Sequence, residues 1–195
     1  MIAIVKYNAG NIYSVVHALR RLGEEPVVTD DAAVLQSADK VIFPGVGEAS
    51  TTMQYLQACG LDRVIVSLKQ PVLGICLGMQ LLCSYSEEGG NIHCLGIFDA
   101  PVKRFLPQDG EKIPHMGWNQ IHELKSPLMA TVSENDYTYF VHSYYVPVTP
   151  DTIAVSDYIH PFSAALHKGN FYATQFHPEK SGPVGENILR QFIAL

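Results

Sequence analysis

The sequence predicts an α/β fold: a three-layer sandwich with a central, mostly parallel sheet, helices on both faces, and an antiparallel extension in the C-terminal half. Two observations carry this. In the first half, short apolar runs of strand length alternate with stretches of helical period. That is the pattern of a parallel sheet whose crossovers are helices. After about residue 95 the texture changes to closely spaced β-rich runs, separated by Pro, Gly, Asp and Asn. Such runs join as antiparallel strands of the same sheet.

Each element follows from local pattern. Residues 2–6 are a short apolar strand. Asn11 can cap a helix in which Ile12, Val15, Val16, Leu19 and Leu22 recur at spacings of three and four, sharing one face, until Gly23 ends it. Residues 26–29 form a second strand, and residues 40–43 a third, stopped by Pro44-Gly45-Val46-Gly47. A helical region spans about 48–69 and breaks near Gly60. Strand 72–75 then leads into helix 77–84. Later strands fall at 117–122, 138–142, 153–157, 162–167 and 171–176. A last helix, 184–194, buries Val184, Ile188, Leu189, Phe192 and Ile193. With no repeat, low-complexity tract or linker, residues 1–195 read as one domain.

Composition excludes several classes. The 195 residues carry a net charge of −6 and no Lys/Arg cluster, which argues against a nucleic-acid or anionic-membrane surface. Met1-Ile-Ala-Ile-Val-Lys6 meets a charge too soon for a signal peptide. The uncharged stretch 71–86 contains Pro, Gly, Gln and Ser and falls short of the ~20 apolar residues of a spanning helix. Cys59, Cys76, Cys83 and Cys94 form no C-x-x-C pair, which predicts free thiols in a reduced, cytoplasmic setting. No His/Cys ligand spacing appears, so no metal and no cofactor is expected.

Three stretches carry chemistry. Gly74-Ile75-Cys76-Leu77-Gly78 sits at a strand-to-helix junction and has the form of a nucleophile elbow. The sharp turn needs small residues two before and two after the nucleophile. A helix starting after Cys76 favours thiolate, and the Leu77 N–H is free to meet an oxyanion. A small buried core cysteine satisfies the same motif, and for Cys59, Cys83 and Cys94 packing is the better reading. Within "ATQFHPEKS", His177 and Glu179 lie at i and i+2 of an extended segment and face the same way. Pro178 holds His177 extended. The pair suits a base and its orienting acid, although a plain strand end also fits. The turn at residues 44–47 can present N–H groups to an anion. It lacks the third glycine and the position of a dinucleotide fingerprint.

These residues resemble the class I (triad) glutamine amidotransferases over nearly the whole chain. "YNAGNIYSV", "PGVG", "GICLGMQLL", "PHMGWN", "FVHSYY" and "FHPEKS" occur in the family's order. "PGVG" with "PHMGWN" narrows the resemblance to glutaminase subunits that serve a (β/α)8-barrel synthase subunit of histidine biosynthesis. The resemblance implies a flavodoxin-like sheet and a Cys76–His177–Glu179 triad. It implies an oxyanion hole from Gly45, Val46 and Leu77. L-Glutamine would lie near Gly47, Gln80, Glu88, Ser143 and Tyr144. It further implies a heterodimer with the barrel subunit, docked through Asn11, Ser14, Met116, Trp118 and Lys180. The glycines flanking Val46 would let its peptide turn over. Other readings are a glutaminase feeding a different synthase, a non-catalytic flavodoxin-like partner, and a cysteine peptidase. His177 and Glu179 speak against the second. Gln80 and the PGVG turn speak against the third, chiefly through the family match.

Overall fold

A computed structural model describes residues 1–7, 12–108 and 110–195. β1 (Ile2–Val5) passes through α1 (Ile12–Arg21) to β2 (Val27–Thr29), and through α2 (Ala32–Ser37) to β3 (Lys40–Gly45). α3 (Ala49–Cys59) and α4 (Leu61–Ser67) lead to β4 (Val72–Cys76) and α5 (Leu77–Leu81). Short strands β5 (Tyr85–Ser86), β6 (Ile92–His93) and β7 (Pro101–Arg104) follow, then β8 (His115–Ile121), β9 (Asp136–His142) and β10 (Tyr144–Tyr145). The chain closes with β11 (Thr152–Tyr158), β12 (His160–Lys168), β13 (Phe171–Thr174) and α6 (Gly182–Ala194).

The main sheet has the order β11-β12-β13-β4-β3-β1-β2. Its five strands from β13 to β2 are parallel, in the flavodoxin-like order, and β12 and β11 extend it antiparallel. The alternation of strand side chains builds two cores. Ile2, Ile4, Ile42, Leu73 and Ile75 point to one face, which α1 and α6 cover with Val15, Leu19, Ile188, Leu189 and Phe192. Ala3, Val5, Val41, Phe43 and Val72 point to the other, against Leu35, Met53, Leu56, Ile65 and Leu81. Each large aliphatic side chain buried this way contributes about 1.5–3 kcal/mol. The predicted α/β class and sheet therefore stand.

Several local expectations change. The cap expected at Asn11 lies outside the described residues. Helix α2 was not foreseen; only Leu35 of it is buried, so it leaves no apolar stripe to read. Asp31 starts it by accepting the N–H groups of Ala33 and Val34. Strand β3 does not stop at Pro44. Pro44 and Gly45 pair with Ile75 and Cys76. The proline breaks no ladder there, because β1 pairs only as far as Ile42, and the Pro44 carbonyl accepts the Tyr7 hydroxyl instead. Helix α5 ends at Leu81, not Ser84. The carbonyls of Leu81, Leu82 and Cys83 accept N–H groups from residues 95–98, which takes them out of a further helical turn. In α6, Val184 and Ile193 are only half-buried.

The largest departure concerns the runs at 117–122 and 138–142. They do not extend the main sheet. They pair with each other as β8 and β9, a two-stranded sheet tied back by a bridge between His122 and Val155. A further small sheet, β10-β7-β5-β6, has strands too short to show alternation in sequence.

Candidate active site

Cys76 is the last residue of β4, paired with Gly45 at the carboxyl end of the parallel strands. Its φ of 54° and ψ of −110° are strained for a residue with a Cβ. Such a conformation costs about 1–3 kcal/mol and persists only where the surroundings impose it. The flanking glycines are what those surroundings demand. A Cβ on Gly78 would stand 1.9 Å from the Phe43 carbonyl oxygen. A Cβ on Gly74 would meet Leu82 Cδ1 at 2.7 Å and the Gly78 carbonyl at 3.1 Å. The tightest constraint is thus the β3 backbone, not the crowding of the two glycines against each other. Five residues make little more than one turn, so the field of α5 at the sulfur is weaker than a helix to residue 84 would provide.

His177 and Glu179 are brought together by a turn rather than by strand alternation. His177 is extended, and residues Pro178–Lys180 then coil as a 3-10 turn. His177 Nδ1 lies 2.8 Å from Glu179 Oε1, with both side chains fully buried. Nε2 is buried on the other side of the ring, with Cys76 as its acid–base neighbour. Burial opposes a charge on His177, but hydrogen bonds and charge interactions with Cys76 and Glu179 outweigh it and raise the imidazole to about 10. Ser181 secures the turn: its hydroxyl donates to the His177 carbonyl at 2.6 Å and accepts the Tyr139 N–H at 3.0 Å.

These groups open on a cleft of about 350 Å³. Gly47, Gln80, Glu88, Ser143 and Tyr144 all line it, together with Cys76 and His177. Val46 and Leu77 do as well, whereas Gly45 is buried behind them, where a Cβ would meet the Tyr7 hydroxyl at 2.6 Å. Glu88 accepts the Ala49 N–H at 2.9 Å, and burial raises its carboxyl pKa.

Sequence reasoning missed two buried polar residues here. Gln175 donates Nε2–H to Cys76 Sγ at 3.8 Å and accepts from Gln80 at 3.0 Å. His142 donates to the Tyr144 carbonyl at 2.8 Å. A full amide inside the strand run 171–176 was the available signal for Gln175. His142 lies within the motif "FVHSYY", but its inward direction is set only by the β8–β9 pairing.

Residues 3–195 match the family model "Glutamine amidotransferase class-I". The chain is 65% identical to "Imidazole glycerol phosphate synthase subunit HisH" of Bacteroides thetaiotaomicron, covering 100% of this chain and 99% of that protein. It is 46% identical to the subunit of the same name from Yersinia pseudotuberculosis, with the same coverage. The chain belongs to the class-I glutamine amidotransferases, in the HisH family. Solved structures agree on the fold. A glutamine amidotransferase superposes with a TM-score of 0.76 at 18% identity, covering 100% and 98% of the two chains. PurLQS from Thermotoga maritima superposes at 0.70 and 17%, covering 99% and 97%.

Elsewhere on the amidotransferase, Met116 and Trp118 are 67% and 55% exposed, pointing out from β8. Trp118 reaches over Gly182, near the exposed Lys180, and α1, which carries Ser14, packs on the turn at 178–180. Asn11 lies outside the described residues. Cys83 is fully buried, and burial raises its pKa. Cys94 is half-buried and pushed up to about 12, first by burial and then by Glu88. Cys59 is exposed, so packing does not explain it. Among the described residues, no group of three His, Cys, Asp or Glu side chains could hold a metal ion, and no helix is long and apolar enough to cross a membrane.

Proposed function

We propose that this amidotransferase is the glutaminase subunit of an imidazole glycerol phosphate synthase and works in the cytoplasm. It hydrolyses L-glutamine to glutamate and delivers the ammonia to a (β/α)8-barrel synthase subunit, which makes imidazole glycerol phosphate and aminoimidazole carboxamide ribotide. The observation that carries this is one arrangement: a thiol on a strained elbow and a buried His177–Glu179 pair at the same end of the parallel strands, with Cys76 and His177 lining one cleft.

The Cys76 thiolate attacks the side-chain amide carbon of glutamine. The carbonyl oxygen takes up negative charge, met by the Leu77 N–H and by N–H groups of the turn carrying Gly45 and Val46. His177, protonated and oriented by Glu179, gives its proton to the departing nitrogen, so ammonia leaves and a thioester remains. The neutral imidazole then takes a proton from water, whose oxygen attacks the thioester. Glutamate leaves, and the thiolate–imidazolium pair is restored. Glu88 suits the α-ammonium of glutamine, and the chain at Ser143 and Tyr144 suits its α-carboxylate. Ser14, Met116, Trp118 and Lys180 form the docking face for the barrel subunit, with Asn11 assigned to it from the motif alone.

The test combines wild type or Cys76→Ala with the barrel subunit and its precursor. Cys76→Ala abolishes product formation with glutamine and leaves it intact with ammonium. Loss with both nitrogen sources, or with neither, overturns the reading.

A further inference from the structure

A buried hydrogen-bond chain runs from Cys76 to the inner face of β8, and a single carbonyl sets its direction. The Tyr144 carbonyl can only accept. His142 Nδ1 is 2.8 Å from that oxygen, so Nδ1 carries the proton. In a neutral ring Nε2 is then a lone pair. His115 Nδ1 lies 2.9 Å from it and must donate. His115 Nε2 is left to accept, and Asn119 Nδ2 faces it at 3.3 Å while also donating to the Asp157 carbonyl at 2.9 Å. On the other side, Gln80 Nε2 donates to the same Tyr144 oxygen at 3.0 Å and to Gln175 Oε1 at 3.0 Å. This leaves Gln175 to present N–H to Cys76 Sγ. Every amide and ring orientation follows from one acceptor, with no donor facing a donor.

The surroundings hold the two rings in place. His115 is stacked between Phe140 and Tyr158, at 4.9 and 4.1 Å between centroids. His142 packs among Phe105, Phe140 and Phe162. Burial pushes both imidazoles down, His115 to about 4 and His142 to about 3, so both are neutral near pH 7. Neither ring donates to the triad. What His142 does hold is the Tyr144 peptide, and with it the Ser143–Tyr144 wall of the cleft.

We propose that His142 is a positioning residue for glutamine: locked by His115 and Asn119 as the Nδ1–H tautomer, it pins the Tyr144 carbonyl and so fixes the cleft wall and the Gln80 amide against the substrate. This rests on the glutaminase reading above. It adds a buried link between the substrate wall and β8, the strand that carries Met116 and Trp118 on its opposite face.

Two measurements test it. The first is a long-range 1H–15N spectrum of the labelled full chain at neutral pH. Both rings are expected as Nδ1–H tautomers, identified among the eight histidines by a scalar coupling across the His115–His142 hydrogen bond. An Nε2–H tautomer at His142 overturns the proposal without reference to activity. The second is glutamine turnover in complex with the barrel subunit. His142→Phe keeps the ring and loses the donor. It is expected to raise KM for glutamine about tenfold, the scale of one lost hydrogen bond, while kcat moves by less than about threefold. His142→Asn places an N–H near the former Nδ1 and is expected to recover most of the KM. Wild-type kinetics in His142→Phe, or no recovery in His142→Asn, sinks the proposal while the glutaminase reading stands. A wild type lacking Cys76-dependent turnover removes both.

Discussion

Gly78→Ala is the sharpest test of how the elbow is built. The added methyl would stand 1.9 Å from the Phe43 carbonyl oxygen and 3.0 Å from its carbon, where ordinary contact begins near 3.4 Å. The obstacle is backbone on both sides, so α5 and β3 must part by more than an ångström. That moves Cys76 away from the Val46 turn. A 1 Å misplacement of reacting groups costs about a hundredfold in rate. Overpacking costs about 1–3 kcal/mol, occasionally more. Alanine's helix preference offsets at most about 1 kcal/mol of this. Gly74→Ala is the control. Its nearest clash is with Leu82 Cδ1, the tip of a side chain that can rotate, and the backbone contacts at 3.1 Å need only a few tenths of an ångström. The assay is kcat/KM for glutamine in the presence of the barrel subunit, alongside the urea midpoint. Gly78→Ala is expected to lose about two orders of magnitude in kcat/KM, and Gly74→Ala far less. A wild-type Gly78→Ala, or a Gly74→Ala that is the worse of the two, would refute the reasoning.

Two further predictions concern the His177 turn. Glu179→Gln removes one of the two groups that raise the His177 imidazole, so NMR titration should find its pKa lowered. The folded pKa lies above the unfolded value of about 6.5. The stability this ion pair adds is therefore complete below about 6.5 and is lost as pH rises through about 10. The wild type's advantage over Glu179→Gln in denaturant should shrink across that window; a gap that stays constant contradicts the assignment. Ser181→Ala leaves the partly buried Tyr139 N–H without its acceptor and the buried His177 carbonyl without its donor. A loss of about 1–3 kcal/mol in urea unfolding is expected. An unchanged midpoint would show that the hydroxyl does not hold the turn.

What sequence patterns conveyed here is local or periodic. The alternation of apolar runs with helical stripes identified the parallel sheet. Glycines at 74 and 78 marked the elbow, although only Gly78 is held to glycine by a close backbone approach. Pro178 marked the end of the His177 strand. Resemblance then supplied roles for residues such as Glu88 and Ser143, whose own neighbourhoods are uninformative. The rest depended on contacts between distant segments, which no local pattern records. Gly78 is required by the Phe43 carbonyl, a residue 35 positions earlier that only strand pairing brings alongside. The helix after Cys76 stops at Leu81 because residues 95–98 claim its carbonyls. The β8–β9 pair leaves the main sheet, which exposes Trp118 and turns His115 and His142 into a shared interior. Sequence alone named the residues of the proposed chemistry. Tertiary structure decided which buried polar groups orient them, because a hydrogen bond's direction is set by its partner and the partners here lie up to about a hundred residues away.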